Sequence, residues 1–151
     1  MNEYKLMSHP YCYAHVQIEQ SNTECEITLI SYETAVCGIH LSVKEDECFI
    51  WCKGNYSRST IKHINYFTSS FIGNNLYYAI KEALIKAKRD NKNGACLEFA
   101  TIPLDERDVS IICKRVESYK EHGEKFYKYY SQPNYDAMYY GYSNFNPIIL
   151  P

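Results

Sequence analysis

Seven consecutive residues near the middle of the chain, Ser57-Arg58-Ser59-Thr60-Ile61-Lys62-His63, gather three hydroxyls, two cations and an imidazole. Apolar residues recur at helical spacing just beyond them, so this cluster opens a helix. A helix N-terminus offers unpaired backbone N–H groups and a partial positive charge, and hydroxyls with Arg58 there could hold a phosphate or carboxylate. Serine and threonine are also the ordinary helix caps, and in that role they satisfy only the helix's own donors. The spaced glycines and Gly-Lys-Ser/Thr step of a nucleotide loop are missing.

A second constellation is Cys37, His40, Cys48 and Cys52. Zinc wants four such ligands converging tetrahedrally. Strand alternation puts Cys37 and His40 on opposite faces, however, while Cys48 and Cys52 share a face with Ile50, so no metal site is expected. Nucleophilic catalysis would need a base beside a Ser or Cys, and His9, His15, His40, His63 and His122 are scattered without a Gly-x-Ser-x-Gly elbow. Asp105, Glu106 and Asp108 read as the start of a helix, where carboxylates suit the dipole.

Tyrosine is the compositional outlier, with 16 copies. Tyr127, Tyr129, Tyr130, Tyr135, Tyr139, Tyr140 and Tyr142 crowd one stretch, too many for a helix stripe to bury. Such rings give large contact area at low entropic cost, so they suit a protein interface or base stacking. The alternative is that the segment covers an open sheet face.

The elements that must position these residues follow from periodicity. Tyr11 to Ile18, Glu26 to Tyr32, Thr34 to Leu41 and Cys48 to Cys52 read as strands, with a turn or bulge at Glu33. Connections this short imply antiparallel pairing, since a parallel return needs a crossover of roughly a dozen residues. Ile61, Ile64, Phe67 and Phe71 mark a first helix; Leu76, Ile80, Ala83, Leu84 and Ala87 mark a second that ends near Arg89. Cys96 to Ile102 reads as a fifth strand stopped by Pro103. A third helix starts at Asp105, carries Val109, Ile112, Cys113, Val116 and Tyr119 on one stripe, and continues past Gly123 through Phe126 to Tyr130.

At 151 residues and 17.7 kDa, with 46% hydrophobic residues, the chain can build a real core. Residues 1–131 read as one domain and residues 132–151 as a Tyr/Asn/Pro-rich C-terminal tail. No apolar run approaches the roughly 18–20 residues that span a bilayer, and the N-terminus lacks export-signal features, so a cytosolic protein is expected. Seven cysteines in such a chain read as reduced thiols inside apolar runs. The net charge of −2 hides an asymmetry: residues 1–52 carry two lysines against eight acids, and residues 53–92 carry eight cations against two acids. The basic block is a candidate surface for an anionic partner.

The residues Ser31, Tyr32, Thr34, Gly54, Tyr56, Ser57, Ser59, Thr60, Lys62 and His63 form a pattern over about a third of the chain. It resembles a group of small proteins of Gram-positive phages and mobile elements, in which a Ser-Tyr-x-Thr strand precedes Gly-x-Tyr-Ser, further Ser/Thr and Lys/Arg-His at a helix start. The resemblance implies a phage accessory context, where inhibitors of host defence, anti-CRISPR proteins among them, are common.

The sequence therefore predicts an α+β fold with a four- to five-stranded, mainly antiparallel sheet and two or three helices packed on one face. The expected function is a non-catalytic binding protein that inhibits a host defence factor by contact, without a cofactor. The expected contacts are Tyr56, Arg58, Lys62, His63, Lys81, Lys88, Arg89, Tyr135, Tyr139, Tyr140 and Tyr142. A nucleic-acid-binding module using the same cations and rings is the first alternative, and a cysteine- or phosphate-handling enzyme the second. Oligomeric state stays open, a homodimer included.

Overall fold

Alternation builds the sheet. In β3 (Glu24–Ser31) Cys25, Ile27, Leu29 and Ser31 are buried while the residues between them are only partly covered, so one face of the strand is core. The structure, a computed structural model, describes residues 2–7, 13–54, 57–73, 76–90 and 99–126. Besides β3, its elements are β1 (Asn2–Lys5), β2 (Ala14–Gln20), β4 (Thr34–Ser42), β5 (Glu47–Lys53), α1 (Arg58–Phe71), α2 (Leu76–Asp90), β6 (Phe99–Pro103) and α3 (Glu106–His122).

The six strands lie in chain order and every neighbouring pair is antiparallel, giving an α+β fold. One strand more than expected is present. β1 was not legible because only Tyr4 and Leu6 in its vicinity are buried apolar residues, set among Asn2, Glu3 and Lys5. Its outer edge is occupied by residues 124–126: the Lys5 N–H donates to the Glu124 carbonyl at 2.8 Å and the Phe126 N–H to the Glu3 carbonyl at 3.0 Å. That pairing corrects the expectation of a third helix running through Phe126. α3 stops at Gly123, whose backbone is extended (φ −67°, ψ 139°), and the chain turns back along β1. Residues 127–130 of that expected continuation lie outside the described residues.

All three helices cover one sheet face, with α1 between the others and touching both. Ile64, Phe67 and Phe71 of α1, Ile80 of α2, and Ile112, Val116 and Tyr119 of α3 join the buried strand residues in a single core. Phe71 stacks on Tyr119 with centroids 5.0 Å apart, and Tyr4 meets Tyr119 edge-on at 5.8 Å. Burial of each such side chain contributes about 1.5–3 kcal/mol, which is what holds the helices to the sheet. Cys113 is exposed rather than part of the core stripe. At 100° per residue, Ile112, Val116 and Tyr119 already complete the inward arc, and Cys113 falls on its flank.

On the opposite face, Gly38 of β4 lies under the indole of Trp51, where a Cβ would meet the ring at 2.4 Å. Glycine is required there by close approach. α3 begins with a capping box, Asp105 accepting from the Asp108 N–H and Asp108 from the Asp105 N–H. The bond from the Asp108 N–H holds the Asp105 carboxyl below its usual range.

Candidate functional site

Ser31 ends β3 and Thr34 begins β4, so Tyr32 and Glu33 make a two-residue hairpin turn. Both have positive φ, 48° and 78°, the conformation that such turns need and that Asn-Gly normally fills. A tyrosine and a glutamate held there are strained. Two contacts hold the turn: the Tyr32 N–H donates to the Tyr13 carbonyl at 3.1 Å, and the two half-exposed rings stack with centroids 5.6 Å apart. The Tyr32 ring also leans on His63 at 5.3 Å.

Beneath the turn a chain of polar groups joins the hairpin to α1. Ser31 Oγ is 2.7 Å from His63 Nδ1 and 3.1 Å from Thr60 Oγ1; Ser57 Oγ donates to Thr60 Oγ1 at 3.3 Å and accepts from the Thr60 N–H as the helix N-cap. One consistent direction runs Ser57 to Thr60 to Ser31 to His63 Nδ1, each hydroxyl donating to the next. Ser31 and His63 are thus at the distance of a nucleophile and its base. Ser31 is only 2% exposed and His63 4%, under Tyr32, so the hydroxyl has no path to a substrate in this arrangement. Its chemistry is to lock the turn onto the helix.

His63 therefore departs from the expected contact set: Lys62 and Arg58 point to solvent, whereas His63 points into the core. The physical reason is helical phase, which puts His63 with Thr60, Phe67 and Ile64 on the inward side. Of the other expected contacts, Lys81 and Arg89 are exposed on α2 and Lys88 is a helical residue of α2. Tyr56, Tyr135, Tyr139, Tyr140 and Tyr142, with the tail 132–151, lie outside the described residues.

The acidic and basic blocks of the sequence separate by layer. The first five strands and their turns come from the acidic part, and α1 and α2 from the basic part. Along the outward faces of α1 and α2 lie Arg58, Lys62, Lys81, Lys86 and Arg89, with Glu82 as the acid among them. Tyr78, 70% exposed, and Ile85, 49% exposed, lie on the outward side of α2, and Ile61 is exposed on α1. Sequence reading missed Tyr78 and Ile85 as surface residues. The signal was there: they are seven positions apart and fall off the inward stripe of Ile80 and Leu84.

Cys37 and Cys52 face each other across β4 and β5 in the core, and His40 is on the other face, paired with Glu26. Burial, then the hydrogen bond with Cys52, pushes the Cys37 thiol well above its ordinary pKa. Among the described residues no group of three His, Cys, Asp or Glu side chains is placed to hold a metal. Among the described residues no helix is long and apolar enough to cross a membrane. Comparison with protein-family models, curated proteins and solved structures finds no match to this chain.

Proposed function

We propose that this protein is a non-catalytic binding protein that inhibits a host defence factor by occupying an acidic surface on it. One observation carries the reading: among the described side chains, the outward faces of α1 and α2 set five cations against one acid, and Tyr78 and Ile85 are exposed on α2. Exposed aromatic and aliphatic anchors ringed by charge are the make-up of a protein interface, with the cations supplying steering and the anchors supplying burial. The host-defence target rests on the phage-type pattern of Ser31 to His63 and nothing else.

The test compares wild type with a variant in which Arg58, Lys62, Lys81 and Arg89 are changed to Glu, both first shown to be folded by circular dichroism. Each is immobilised and exposed to host lysate with and without nuclease. The reading stands if wild type retains, with nuclease present as well as absent, a protein that the variant loses. Identical captures by the two proteins defeat it.

A second reading, single-stranded nucleic acid, is favoured by the exposed Tyr13–Tyr32 stack at the turn against which α1 begins. It predicts that nuclease removes everything captured and that binding weakens steeply with salt.

A further inference from the structure

We infer that a cleft between α1 and α3 binds a phosphomonoester. The cleft has a volume of about 340 Å³; Ser69 and Ser70 line its α1 side, Arg115, Ser118 and His122 its α3 side, and Tyr119 its floor. Arg115, Ser118 and His122 are spaced by three and four positions, so successive turns of α3 aim them into the same space. The floor is fixed: the Met7 N–H donates to the Tyr119 hydroxyl at 2.8 Å, and Ser70 Oγ lies 2.9 Å from it.

Four features select the ligand. Among the described residues no carboxylate lines the cleft, and Arg115 gives that lining a positive charge. Arg115 has no ion pair among the described residues, whereas its neighbours Lys120 and His122 have Glu117 and Glu121 at 3.8 and 3.6 Å. A guanidinium offers a two-pronged fork, and the Ser69 and Ser118 hydroxyls add further donors beside it. They match the three terminal oxygens of a phosphomonoester. The volume exceeds that of a bare oxyanion and sits at the small end of ligand sites, leaving room for a short organic body against Met7 and the Tyr119 ring.

The carbonyl ends of α1 and α3 approach one end of this cleft and oppose an anion there. Thr68 and Tyr119 carbonyls at those ends are capped by the N–H groups of Ile72, Gly73 and Gly123. Arg115 stands seven residues back from His122, about 10 Å along the helix, so the anion is placed at the guanidinium and away from the terminus.

The test uses the full chain in titrations monitored by NMR, with phenyl phosphate, a phosphoserine peptide and benzoate as probes. Saturable binding of a phosphate probe is expected, at least tenfold tighter than benzoate, weakened at least tenfold by Arg115→Ala and only partly restored by Arg115→Lys. Preference for the peptide would assign a phosphorylated protein as source, and equal or better binding of phenyl phosphate a small molecule. Lys120→Ala, whose ammonium is outside the cleft lining, should leave binding unchanged. Absence of saturable binding, benzoate as tight as phosphate, or an Arg115→Ala variant that binds like wild type would each overturn the assignment.

Discussion

Ser31 on β3 and His63 on α1 are 32 positions apart in the chain and 2.7 Å apart in the fold, buried together beneath the ring of Tyr32. The strand pattern Ser-Tyr-x-Thr and the helix start Ser-x-Ser-Thr-x-Lys-His are thus two halves of one structural joint. It fixes the turn that displays Tyr32 beside Tyr13.

Ser31→Ala removes the partner at His63 Nδ1 and one partner of Thr60, which at the usual cost of a buried polar group left unmatched should lower stability by about 1–3 kcal/mol. Urea denaturation measures it. Because the two side chains act as a pair, Ser31→Ala with His63→Ala should cost less than the sum of the single changes. Simple additivity would show that the bond contributes nothing.

Glu33 sits at φ 78° and Tyr32 at 48°. Glycine takes such angles without a Cβ penalty, so Glu33→Gly should raise stability by about 0.5–1 kcal/mol while leaving the tyrosine stack in place. Thermal denaturation decides it; a lowered midpoint would mean that Glu33 contributes more through its side chain than its backbone costs.

Gly38→Ala drives a methyl to 2.4 Å from the Trp51 indole. Displacement of the ring should cost about 1–3 kcal/mol, as overpacking does elsewhere. Trp51 is the chain's one tryptophan, so its fluorescence reports the displacement directly.

His15 lies flat on the Phe126 ring, 3.7 Å between centroids. Burial lowers its pKa below the ordinary 6.5, with Glu3 opposing. The fold therefore binds this proton less readily than the unfolded chain does. The stabilisation is full above pH 6.5 and declines as pH falls through that value toward the folded pKa. Replacement of His15 by Phe should flatten this part of a stability-versus-pH curve; an unchanged slope would assign it to other groups.

Cys113 is exposed, while burial pushes the Cys25 thiol to about 11 and holds the Cys37 thiol well above its ordinary value. Only thiolate reacts with alkylating agents. Peptide mapping after brief iodoacetamide treatment should find Cys113 modified and Cys25, Cys37 and Cys52 intact until denaturant is added.

Local pattern made much of this architecture readable. Alternation in residues 26–32 and 34–41, the cap at Ser57 and the acids after Asp105 each record a short-range preference, and each became the element it suggested, the two strands with ends shifted by one or two residues. Cys37 and His40 fell on opposite faces because a strand cannot do otherwise. β1 was hidden because its strand character comes from partners, with β2 on one side and residues 124–126 on the other. Cys113 and His63 were misassigned as core and contact because a helix stripe has a phase that only docking against the sheet selects.

The sequence by itself determined the α+β class, the antiparallel pairing and the separation of acidic strands from basic helices, since periodicity, turn chemistry and charge are properties of neighbouring residues. Tertiary structure alone decided that Ser31 meets His63, that Tyr78 and Ile85 face outward, and that Arg115 looks into a cleft walled by serines of another helix. Those relationships depend on how α1, α2 and α3 are rotated on the sheet, and the burial of Phe67, Phe71, Ile112 and Tyr119 is what sets that rotation.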